Sequence, residues 1–247
     1  MRQFGLIGYP LGHSFSRQYF SEKFIREGIK DAYYELFPLP DIELLPVLLS
    51  RKTRLRGLNV TIPHKEAILP YLHRIDPTAE KIGAVNVVKI TEKGELIGYN
   101  SDYYGFMESL KNALQKSEIK VTHALVLGTG GSSKAVMAAL EMLNISYQRV
   151  SRNASAQAIA YENLTPEIID NVQLIVNTTP LGMSPNVETA PALPFELLSP
   201  QHLCFDLVYN PLHTQFLQKS QEAGAHIQTG LEMLHLQAER AWKIWNT

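Results

Sequence analysis

A glycine-rich segment carries the sharpest chemical signal in the sequence. It runs from Gly128 to Ser133, directly after the apolar run Ala124–Leu127 and before a helical pattern over Lys134–Leu143. Glycines between a strand and a helix allow a tight turn and a close approach by phosphate, and the helix N-terminus presents unpaired N–H groups to it. The segment therefore predicts a dinucleotide-binding turn in which Ser133 takes the place of the third glycine.

The end of the next predicted strand bears on which dinucleotide is bound. Tyr147–Val150 is followed by Ser151, Arg152 and Asn153. Proteins that bind NAD usually place an Asp or Glu at this strand end to hold the ribose 2′-hydroxyl, whereas an arginine can pair with a 2′-phosphate. Arg152 therefore favours NADP over NAD, although a solvated surface arginine is the alternative explanation.

The N-terminal half contributes polar side chains close to predicted strand ends. Ser14 and Ser16 follow the first strand, where two hydroxyls at a helix start suit a carboxylate, and Ser16 is also a predicted N-cap. Asn59 and Thr61 lie two residues apart in a strand pattern and therefore share one face. Lys65 follows at a helix start, where a positive charge is electrostatically unfavourable, and this misfit suggests a functional role.

Asn86 and Asp102 complete this polar set, at a strand terminus and at a helix N-terminus. Capping alone would explain an acid at a helix N-terminus. Taken together, however, Lys65 and Asp102 form an acid–base pair, and the surrounding amides and hydroxyls suit a small polyhydroxylated carboxylate beside a nicotinamide. The prediction depends on the combination, since each residue singly has a structural explanation.

Motifs for other chemistries are missing from the sequence. The eight histidines form no HExxH pair, no GxSxG segment occurs, and the single cysteine, Cys204, excludes an intramolecular disulfide and a multi-cysteine metal site. A net charge of −1 gives no general attraction to nucleic acid or to an anionic membrane. No apolar stretch approaches the roughly 18 residues of a membrane helix. We expect a soluble, cytoplasmic protein with no metal.

The elements that must position these residues alternate along the chain. Strand patterns occur at Phe4–Tyr9, Ala32–Phe37, Gly57–Ile62, Ala84–Ile90, Leu96–Tyr99, Ala124–Leu127, Tyr147–Val150, Leu174–Asn177, Cys204–Asp206 and Ala225–Gln228. Helical patterns separate several of them, and the Ala84–Ile90 and Leu96–Tyr99 runs are typical of a hairpin. The alternation predicts an α/β fold with parallel sheets covered by helices, in which a second domain's first strand, turn and helix include the glycine segment.

Eight ordered segments together resemble the shikimate dehydrogenase family over nearly the whole chain. They are GYPLGHSFS (8–16), GLNVTIPHK (57–65), GAVN (83–86), GYNSDYYGF (98–106), GTGGSSKAV (128–136), NTTPLGM (177–183), FDLVYNPLHT (205–214) and GLEMLHLQA (230–238). The resemblance implies reversible, NADPH-dependent reduction of 3-dehydroshikimate to shikimate, a step in the biosynthesis of aromatic amino acids.

The resemblance also implies roles for individual residues. Lys65 and Asp102 would be the catalytic pair. Residues that hold or line the substrate would be Ser14 and Ser16 at its carboxylate, Tyr209 near it, and Asn59, Thr61, Asn86, Asp102 and Gln237 around the ring hydroxyls. Residues that hold the cofactor would be Gly128, Thr129, Gly130, Gly131 and Ser132 at the pyrophosphate, Arg152 at the 2′-phosphate, and Asn177, Thr178, Leu207, Gly230 and Met233 along the nicotinamide half.

The architecture that the resemblance implies has two domains. Residues 1–101 together with 230–247 would form an α/β substrate domain, and residues 102–229 a Rossmann-like nucleotide domain, with the active site in the cleft between them. The terminal helix would return to the first domain through its own apolar stripe. Small-molecule ligands are the expected partners, with no nucleic acid or membrane, and the chain is expected to be a monomer or a homodimer.

Three alternatives stay open on the sequence alone. Ala156 stands where the family often has a second phosphate-binding arginine, so an NAD-dependent quinate/shikimate dehydrogenase is one alternative. A nucleotide-sensing module that keeps the fold without turnover is another, and the intact Lys65 and Asp102 argue against it. A relative of methylene-tetrahydrofolate dehydrogenase would share the two-domain plan but would not need the GHSFS segment.

Overall fold

The chain forms two compact units in a computed structural model that describes residues 1–12 and 15–247. The first unit consists of residues 1–101 and 238–247, and the second of residues 102–237. The sequence-based division, which assigns all of residues 230–247 to the first domain, stays a prediction about where the functional domains end.

The first unit is built on a mixed six-stranded sheet. Its strands are β1 (Arg2–Gly8), β2 (Ala32–Pro38), β3 (Leu55–Val60), β4 (Arg74–Ile75), β5 (Val87–Ile90) and β6 (Leu96–Tyr99), and its helices are α1 (Phe15–Arg26), α2 (Leu45–Arg51), α3 (His64–Ala67) and α4 (Pro77–Ile82). The strand order is β2-β1-β3-β5-β6-β4. β1 pairs parallel with β2 and β3, whereas β5 pairs antiparallel with both β3 and β6.

The second unit contains a sheet whose described strand pairs are all parallel. Its strands are β7 (His123–Leu127), β8 (Ser146–Ser151), β9 (Ile159–Ala160), β10 (Leu174–Asn177), β11 (Leu203–Asp206) and β12 (His226–Gln228). Its helices are α5 (Asp102–Ser117), α6 (Gly131–Met142), α7 (Pro166–Asp170) and α8 (Gln215–Glu222), and α9 (Leu231–Asn246) begins in this unit. The strand order is β12-β11-β10-β7-β8-β9.

The two sheets differ in how far the parallel prediction holds. It is confirmed for the second sheet, where β10 is buried along its whole length, as a parallel strand covered by helices on both faces must be. It is wrong for part of the first sheet, because the short connection at residues 91–95 reverses the chain between β5 and β6. A short connection joins antiparallel strands, while a parallel pair needs a long crossover. The predicted hairpin is thereby confirmed.

Three predicted element boundaries are corrected by the structure. Ser16 is not an N-cap, because α1 already begins at Phe15. β3 ends at Val60, so Thr61 lies just beyond the strand that was predicted to hold it. Helix α6 begins at Gly131 rather than at Lys134, because the extended backbone of Gly130 forms the helix N-cap without any side-chain cap.

The last turns of α9 pack on the first unit through aromatic rings, as the predicted apolar stripe requires. Trp245 stacks on Phe4 with ring centroids 4.9 Å apart, and its indole N–H donates to the carbonyl of Val88 at 3.1 Å. A side chain at Gly57 would overlap this indole, so only glycine fits there. The contact is local to the first unit, to which both partners belong.

Candidate active site

A series of polar groups connects three of the expected substrate residues in the first unit. The side chain of Ser16, in the first turn of α1, lies near enough to the hydroxyl of Tyr34 on β2 to oppose the rise of its pKa. The Tyr34 hydroxyl donates to Asn59 Oδ1 at 2.8 Å, and Asn59 Nδ2 lies 3.4 Å from the carbonyl of Asn86. Burial raises the pKa of Tyr34 well above its ordinary value, so this phenol stays neutral. Ser14 lies outside the described residues.

Asn86 extends this series to the last residues of the first unit. Its Nδ2 donates to Ser101 Oγ at 3.0 Å, and its Oδ1 accepts from the Ser101 backbone N–H at 2.6 Å. The neighbouring Asn100 donates to the carbonyl of Ala84 at 2.9 Å. All four residues are buried, so these bonds hold the segments 84–86 and 100–101 against each other without competition from water.

Lys65 is attached to the same region of the first unit through its main chain. Its carbonyl accepts from the N–H of Val85 at 2.8 Å, which attaches α3 to the segment leading into Asn86. The preceding His64 is buried, with Nε2 2.5 Å from the carbonyl of Leu39, and it anchors the start of α3. Since α3 has only four residues, its dipole is short, and the electrostatic misfit expected for a lysine there is small.

Thr61 connects the same region to the end of β1. Its N–H donates to the carbonyl of Ile7 at 2.9 Å, and a Cβ at Gly8 would overlap its methyl group. Thr61 is half-buried. It therefore belongs to the carboxyl edge of β1 and β3, the edge at which ligands bind in many α/β sheets.

Asp102 and Gln237 lie on two helices that touch within the second unit. Asp102 is the first residue of α5 and is buried, a position where the N–H groups of the first turn stabilise a carboxylate. One turn later, a Cβ at Gly105 would lie 2.7 Å from the carbonyl of Met233 and 3.1 Å from the N atom of Gln237. Glycine at this position therefore brings α9, with Gln237, into close contact with the first turns of α5.

The glycine turn has a strained first glycine, an open second glycine and a helix start directly after them. Gly128 has a φ of 112°, and a Cβ there would lie 2.7 Å from Thr178 Oγ1, so no other residue fits without strain. Gly130 has no atom within 4 Å of an added Cβ, which leaves its exposed backbone open to a ligand. Helix α6 then begins at Gly131 with no acidic residue in its first turn. The N–H groups of a helix start beside an open cradle fit a dinucleotide phosphate.

Buried hydrogen bonds fix the loops that follow β10 and β11. The carboxylate of Asp206, at the end of β11, is fully buried and accepts three hydrogen bonds. The donors are Asn177 Nδ2 at 3.0 Å, the Val208 N–H at 3.0 Å and Thr214 Oγ1 at 2.5 Å. Burial raises the pKa of Asp206 to about 6, and the three hydrogen bonds oppose that rise.

The structure brings most of the expected nicotinamide residues to one edge of the second sheet. Asn177 Oδ1 accepts from the N–H of Thr179 at 3.0 Å, and Thr178 Oγ1 donates to the carbonyl of Leu127 at 2.7 Å. A Cβ at Gly230 would lie 2.5 Å from the carbonyl of Leu207, so these two segments are in direct contact. Met233 is buried in the same core as Leu207, whereas Tyr209 is half-buried, and burial raises its pKa.

Arg152 lies directly after β8, at the same carboxyl edge of the sheet but two strands away from β10. It is exposed and lines an open cavity of about 380 Å³ together with Tyr161, Glu162 and Ala192. Burial raises the pKa of Tyr161 to about 12, and the nearby Arg152 guanidinium opposes that rise. An exposed guanidinium beyond the second strand of the sheet is where a ribose 2′-phosphate would be held.

Several residues of these networks, Tyr34 and Asp206 among them, were not predicted from the sequence. Tyr34 has the pattern of an ordinary strand aromatic, and nothing in its local sequence indicates a polar partner. Asp206 does carry a signal, since an acid that ends a buried apolar strand must find hydrogen-bond donors. Among the described residues, no cluster of His, Cys, Asp and Glu could hold a metal ion, and no helix is long and apolar enough to cross a membrane.

Comparison with known proteins identifies the family to which the chain is similar. Residues 6–88 match the family model described as the shikimate dehydrogenase substrate binding domain. The chain is 37% identical to the shikimate dehydrogenase (NADP(+)) of Methanosphaera stadtmanae over 259 aligned positions, which cover 98% of this chain and 90% of that protein.

Solved structures resemble the chain over the same extent. The shikimate 5-dehydrogenase of Thermus thermophilus, solved in complex with NADP(H) and shikimate, is 35% identical with a TM-score of 0.85, covering 99% of this chain and 93% of that one. The quinate dehydrogenase of Corynebacterium glutamicum, solved with NAD, is 25% identical with a TM-score of 0.87 and the same coverage.

Proposed function

This chain belongs to the shikimate dehydrogenase family, and from that premise we propose that it catalyses the reversible reduction of 3-dehydroshikimate to shikimate with NADPH. The observation that carries the proposal is the uncharged series of hydrogen-bonding groups from Tyr34 through Asn59 to Asn86, with the Ser16 side chain near Tyr34. Such an array of donors and acceptors suits a ring bearing several hydroxyls.

Substrate recognition is assigned to the polar groups of both units. Ser14 and Ser16 hold the carboxylate, with Tyr209 near it, and the residues at the ring hydroxyls are Asn59, Thr61, Asn86, Asp102 and Gln237. A site whose buried donors and acceptors expect hydroxyls rejects an analogue that lacks one, because a buried polar group is then left unpaired.

The second unit binds the cofactor. The turn from Gly128 to Ser132, including Thr129, Gly130 and Gly131, holds the pyrophosphate, and Arg152 holds the 2′-phosphate. Residues along the nicotinamide half are Asn177, Thr178, Leu207, Gly230 and Met233. When bound, NADPH supplies the hydride that reduces the substrate's carbonyl carbon. The open cradle at Gly130 and the forced glycine conformation at Gly128 support this assignment.

Lys65 and Asp102 are the proposed catalytic pair. In the direction of reduction, the Lys65 ammonium donates a proton to the oxygen of the carbonyl that becomes a hydroxyl. In the direction of oxidation, the neutral amine accepts that proton. Asp102 is the carboxyl member of the pair, and it is buried as the first residue of α5.

The first experiment follows NADPH by its ultraviolet absorbance with shikimate as substrate. General acid–base catalysis contributes about 10²–10⁴-fold, so Lys65→Ala should lower kcat by at least that lower factor while the KM for shikimate changes little. Lys93→Ala is the matched control, because Lys93 is an exposed lysine in the turn between β5 and β6. Equal kcat values in the two variants would remove Lys65 from the chemistry.

A second candidate is an NAD-dependent quinate/shikimate dehydrogenase, favoured by one observation. Glu162 lines the same cavity as Arg152, and a carboxylate there is suited to a ribose 2′-hydroxyl. The test compares kcat/KM for shikimate and quinate with each cofactor, in the unmodified enzyme and in Arg152→Ala. Under the NADP proposal, this substitution weakens turnover with NADP+ and leaves turnover with NAD+ unchanged. Any shikimate-dependent turnover eliminates the non-catalytic nucleotide sensor.

We further propose that the enzyme works in the reducing cytoplasm, since its single cysteine, Cys204, is a buried free thiol. Fractionation of the native cells would test this. Whether the chain is a monomer or a homodimer stays a prediction that sedimentation equilibrium distinguishes.

A further inference from the structure

The helix that carries Lys65 is too short to hold its own position. Helix α3 has four residues, and a helix of that length is not stable in water without tertiary contacts. Its N-cap residue, Pro63, makes no side-chain cap hydrogen bond. Of the four residues only His64 is buried, whereas Lys65 is half-buried and Glu66 and Ala67 are exposed. The position of Lys65 therefore depends on the contacts of the residues around it.

The ring of His64 attaches the start of α3 to the ends of two strands. Its Nε2 lies 2.5 Å from the carbonyl of Leu39, the residue directly after β2. A carbonyl oxygen only accepts, so Nε2 carries a proton and donates it. His64 is 3% exposed and Leu39 is 5% exposed, so water does not compete for this hydrogen bond. The N–H of Leu39 donates in turn to the carbonyl of Gly8, at the end of β1, at 2.9 Å.

The main chain of His64 completes this attachment. Its N–H donates to the carbonyl of Thr61 at 2.9 Å, and its carbonyl accepts from the N–H of Ile68 at 3.0 Å. Ile68 is fully buried in the hydrophobic core of the first unit, and the carbonyl of Lys65 accepts from the N–H of Val85. Packing thus holds the end of α3, whereas hydrogen bonds hold its start, where Lys65 lies.

We propose that His64 is a positioning residue that places the Lys65 amine for proton transfer through the hydrogen bond from its ring to Leu39. The inference rests on the proposed function, which assigns the proton transfer to Lys65. Proton transfer requires the donor and acceptor atoms to lie within about 2.6–3.2 Å, and a misplacement of about 1 Å can lower a rate about 10²-fold. A small shift at the start of α3 is therefore enough to slow the reaction.

The second unit contains a histidine of the same kind that can serve as a matched control. His202 is fully buried, and its Nε2 lies 3.0 Å from the carbonyl of Ile169. Its Nδ1 accepts from the N–H of Ser199 at 3.0 Å. Strand β11 begins at the next residue, so His202 lies at the amino edge of the second sheet, opposite to the carboxyl edge. His202 therefore has a structural role like that of His64 without a catalytic residue beside it in the chain.

The first experiment compares three variants by kcat, KM and thermal unfolding. His64→Leu removes the ring hydrogen bond and keeps a side chain of similar bulk, so kcat should fall about tenfold to a hundredfold while the KM for NADP+ changes less than about twofold. His64→Gln keeps an N–H donor that can reach the Leu39 carbonyl, and it should restore kcat to within about threefold of the unmodified enzyme. His202→Leu should lower the unfolding temperature and leave kcat within about twofold.

Kinetics are measured well below the unfolding temperature of every variant. If His64→Leu does not fold, His64→Asn takes its place, because its amide is one methylene group shorter than that of glutamine and does not reach Leu39. The prediction is then that His64→Asn is slow and His64→Gln is not.

A double substitution tests whether His64 acts through Lys65. In the Lys65→Ala background the amine that His64 positions is absent, so adding His64→Leu should change the residual kcat less than about twofold. If the two losses multiply instead, His64 affects turnover by another route and the inference is wrong.

The remaining outcomes separate the inference from the proposed function. If the unmodified enzyme oxidises shikimate and His64→Leu lowers kcat no more than His202→Leu does, His64 does not position Lys65, and the proposed function stands. The same conclusion follows if His64→Gln is as slow as His64→Leu. If the unmodified enzyme gives no turnover with shikimate and either cofactor, the proposed function is wrong, and the role of His64 falls with it.

Discussion

The two units hold their polar side chains beside buried strands by different means. In the first unit, the linking groups are neutral: the Tyr34 phenol donates to the Asn59 amide oxygen, and the Asn59 amide nitrogen reaches the backbone carbonyl of Asn86. In the second unit, a single buried carboxylate, Asp206, accepts from three donors on different segments. We refer to the first arrangement as the neutral series and to the second as the carboxylate hub.

The difference has energetic and functional consequences. A phenol can redirect its proton by rotating its O–H bond, so the neutral series can respond to a ligand at the Tyr34 end. A buried carboxylate only accepts, and its loss leaves every donor around it unpaired at once. We therefore expect substitutions at the carboxylate hub to affect stability more than substitutions in the neutral series, and the following predictions test this ranking.

The largest effect is expected for Asp206→Ala. The substitution leaves the donors of Asn177, Val208 and Thr214 without their acceptor, which should lower the free energy of unfolding by about 3–5 kcal/mol at neutral pH. Urea unfolding measures it. Asp206→Asn is the control, because its amide oxygen still accepts while Thr214 can accept from its NH₂ group. If the free energy of unfolding falls by less than about 1 kcal/mol in Asp206→Ala, the carboxylate hub is not needed for stability.

A somewhat smaller effect is expected from titration of the same carboxyl group. Burial raises the pKa of Asp206 from 3.8 to about 6, so the folded protein binds this proton more tightly than the unfolded chain does. The stability contributed by the protonated form is complete below pH 3.8 and is lost as the pH rises through about 6. The unfolding free energy of the unmodified protein, minus that of Asp206→Asn, should fall by about 2–3 kcal/mol between about pH 4 and pH 7. A difference in unfolding free energy that stays constant over this pH range would contradict the raised pKa of Asp206.

The glycine turn offers a third comparison within the second unit. Gly128→Ala forces a side chain into a φ of 112° and against Thr178, so it should lower the free energy of unfolding by about 2 kcal/mol. Gly130→Ala meets open space at a φ of −79° and should cost less than about 1 kcal/mol. Urea unfolding of the two variants side by side measures the difference.

The KM of the Gly130→Ala variant for NADP+ tests the cofactor proposal. Gly130→Ala should raise the KM for NADP+ although the fold is intact, because the added methyl occupies the open cradle. An unchanged KM for NADP+ in this variant would place the pyrophosphate elsewhere.

The smallest effect on stability is expected in the neutral series. Tyr34→Phe keeps the stacking on Phe20 and removes one hydroxyl, so the free energy of unfolding should fall by about 1 kcal/mol. Urea unfolding of Tyr34→Phe and Asp206→Ala under the same conditions ranks their losses of unfolding free energy. If Tyr34→Phe destabilises the protein as much as Asp206→Ala does, the distinction between the neutral series and the carboxylate hub fails.

The sequence predicted the parts of the site that depend on neighbouring residues. The turn from Gly128 to Gly131 was found because strand, glycines and helix follow each other within one short segment. The strand Leu174–Asn177 was predicted with the bounds that the structure gives, since a buried apolar run has clear limits. The N-cap role of Ser16 was predicted wrongly, because α1 already begins at Phe15, one residue earlier.

By itself, the sequence determined the α/β class, the glycine turn and the set of polar residue types near strand ends, because backbone propensity and hydrophobic periodicity act over a few neighbouring residues. Tertiary structure alone decided which of those side chains are joined. Tyr34 and Asn59 are 25 positions apart, and Asn177 and Asp206 are 29 apart, so each pair becomes adjacent only through strand order and register. Burial makes these hydrogen bonds important for stability, because a polar group removed from water depends on the partner that the fold provides.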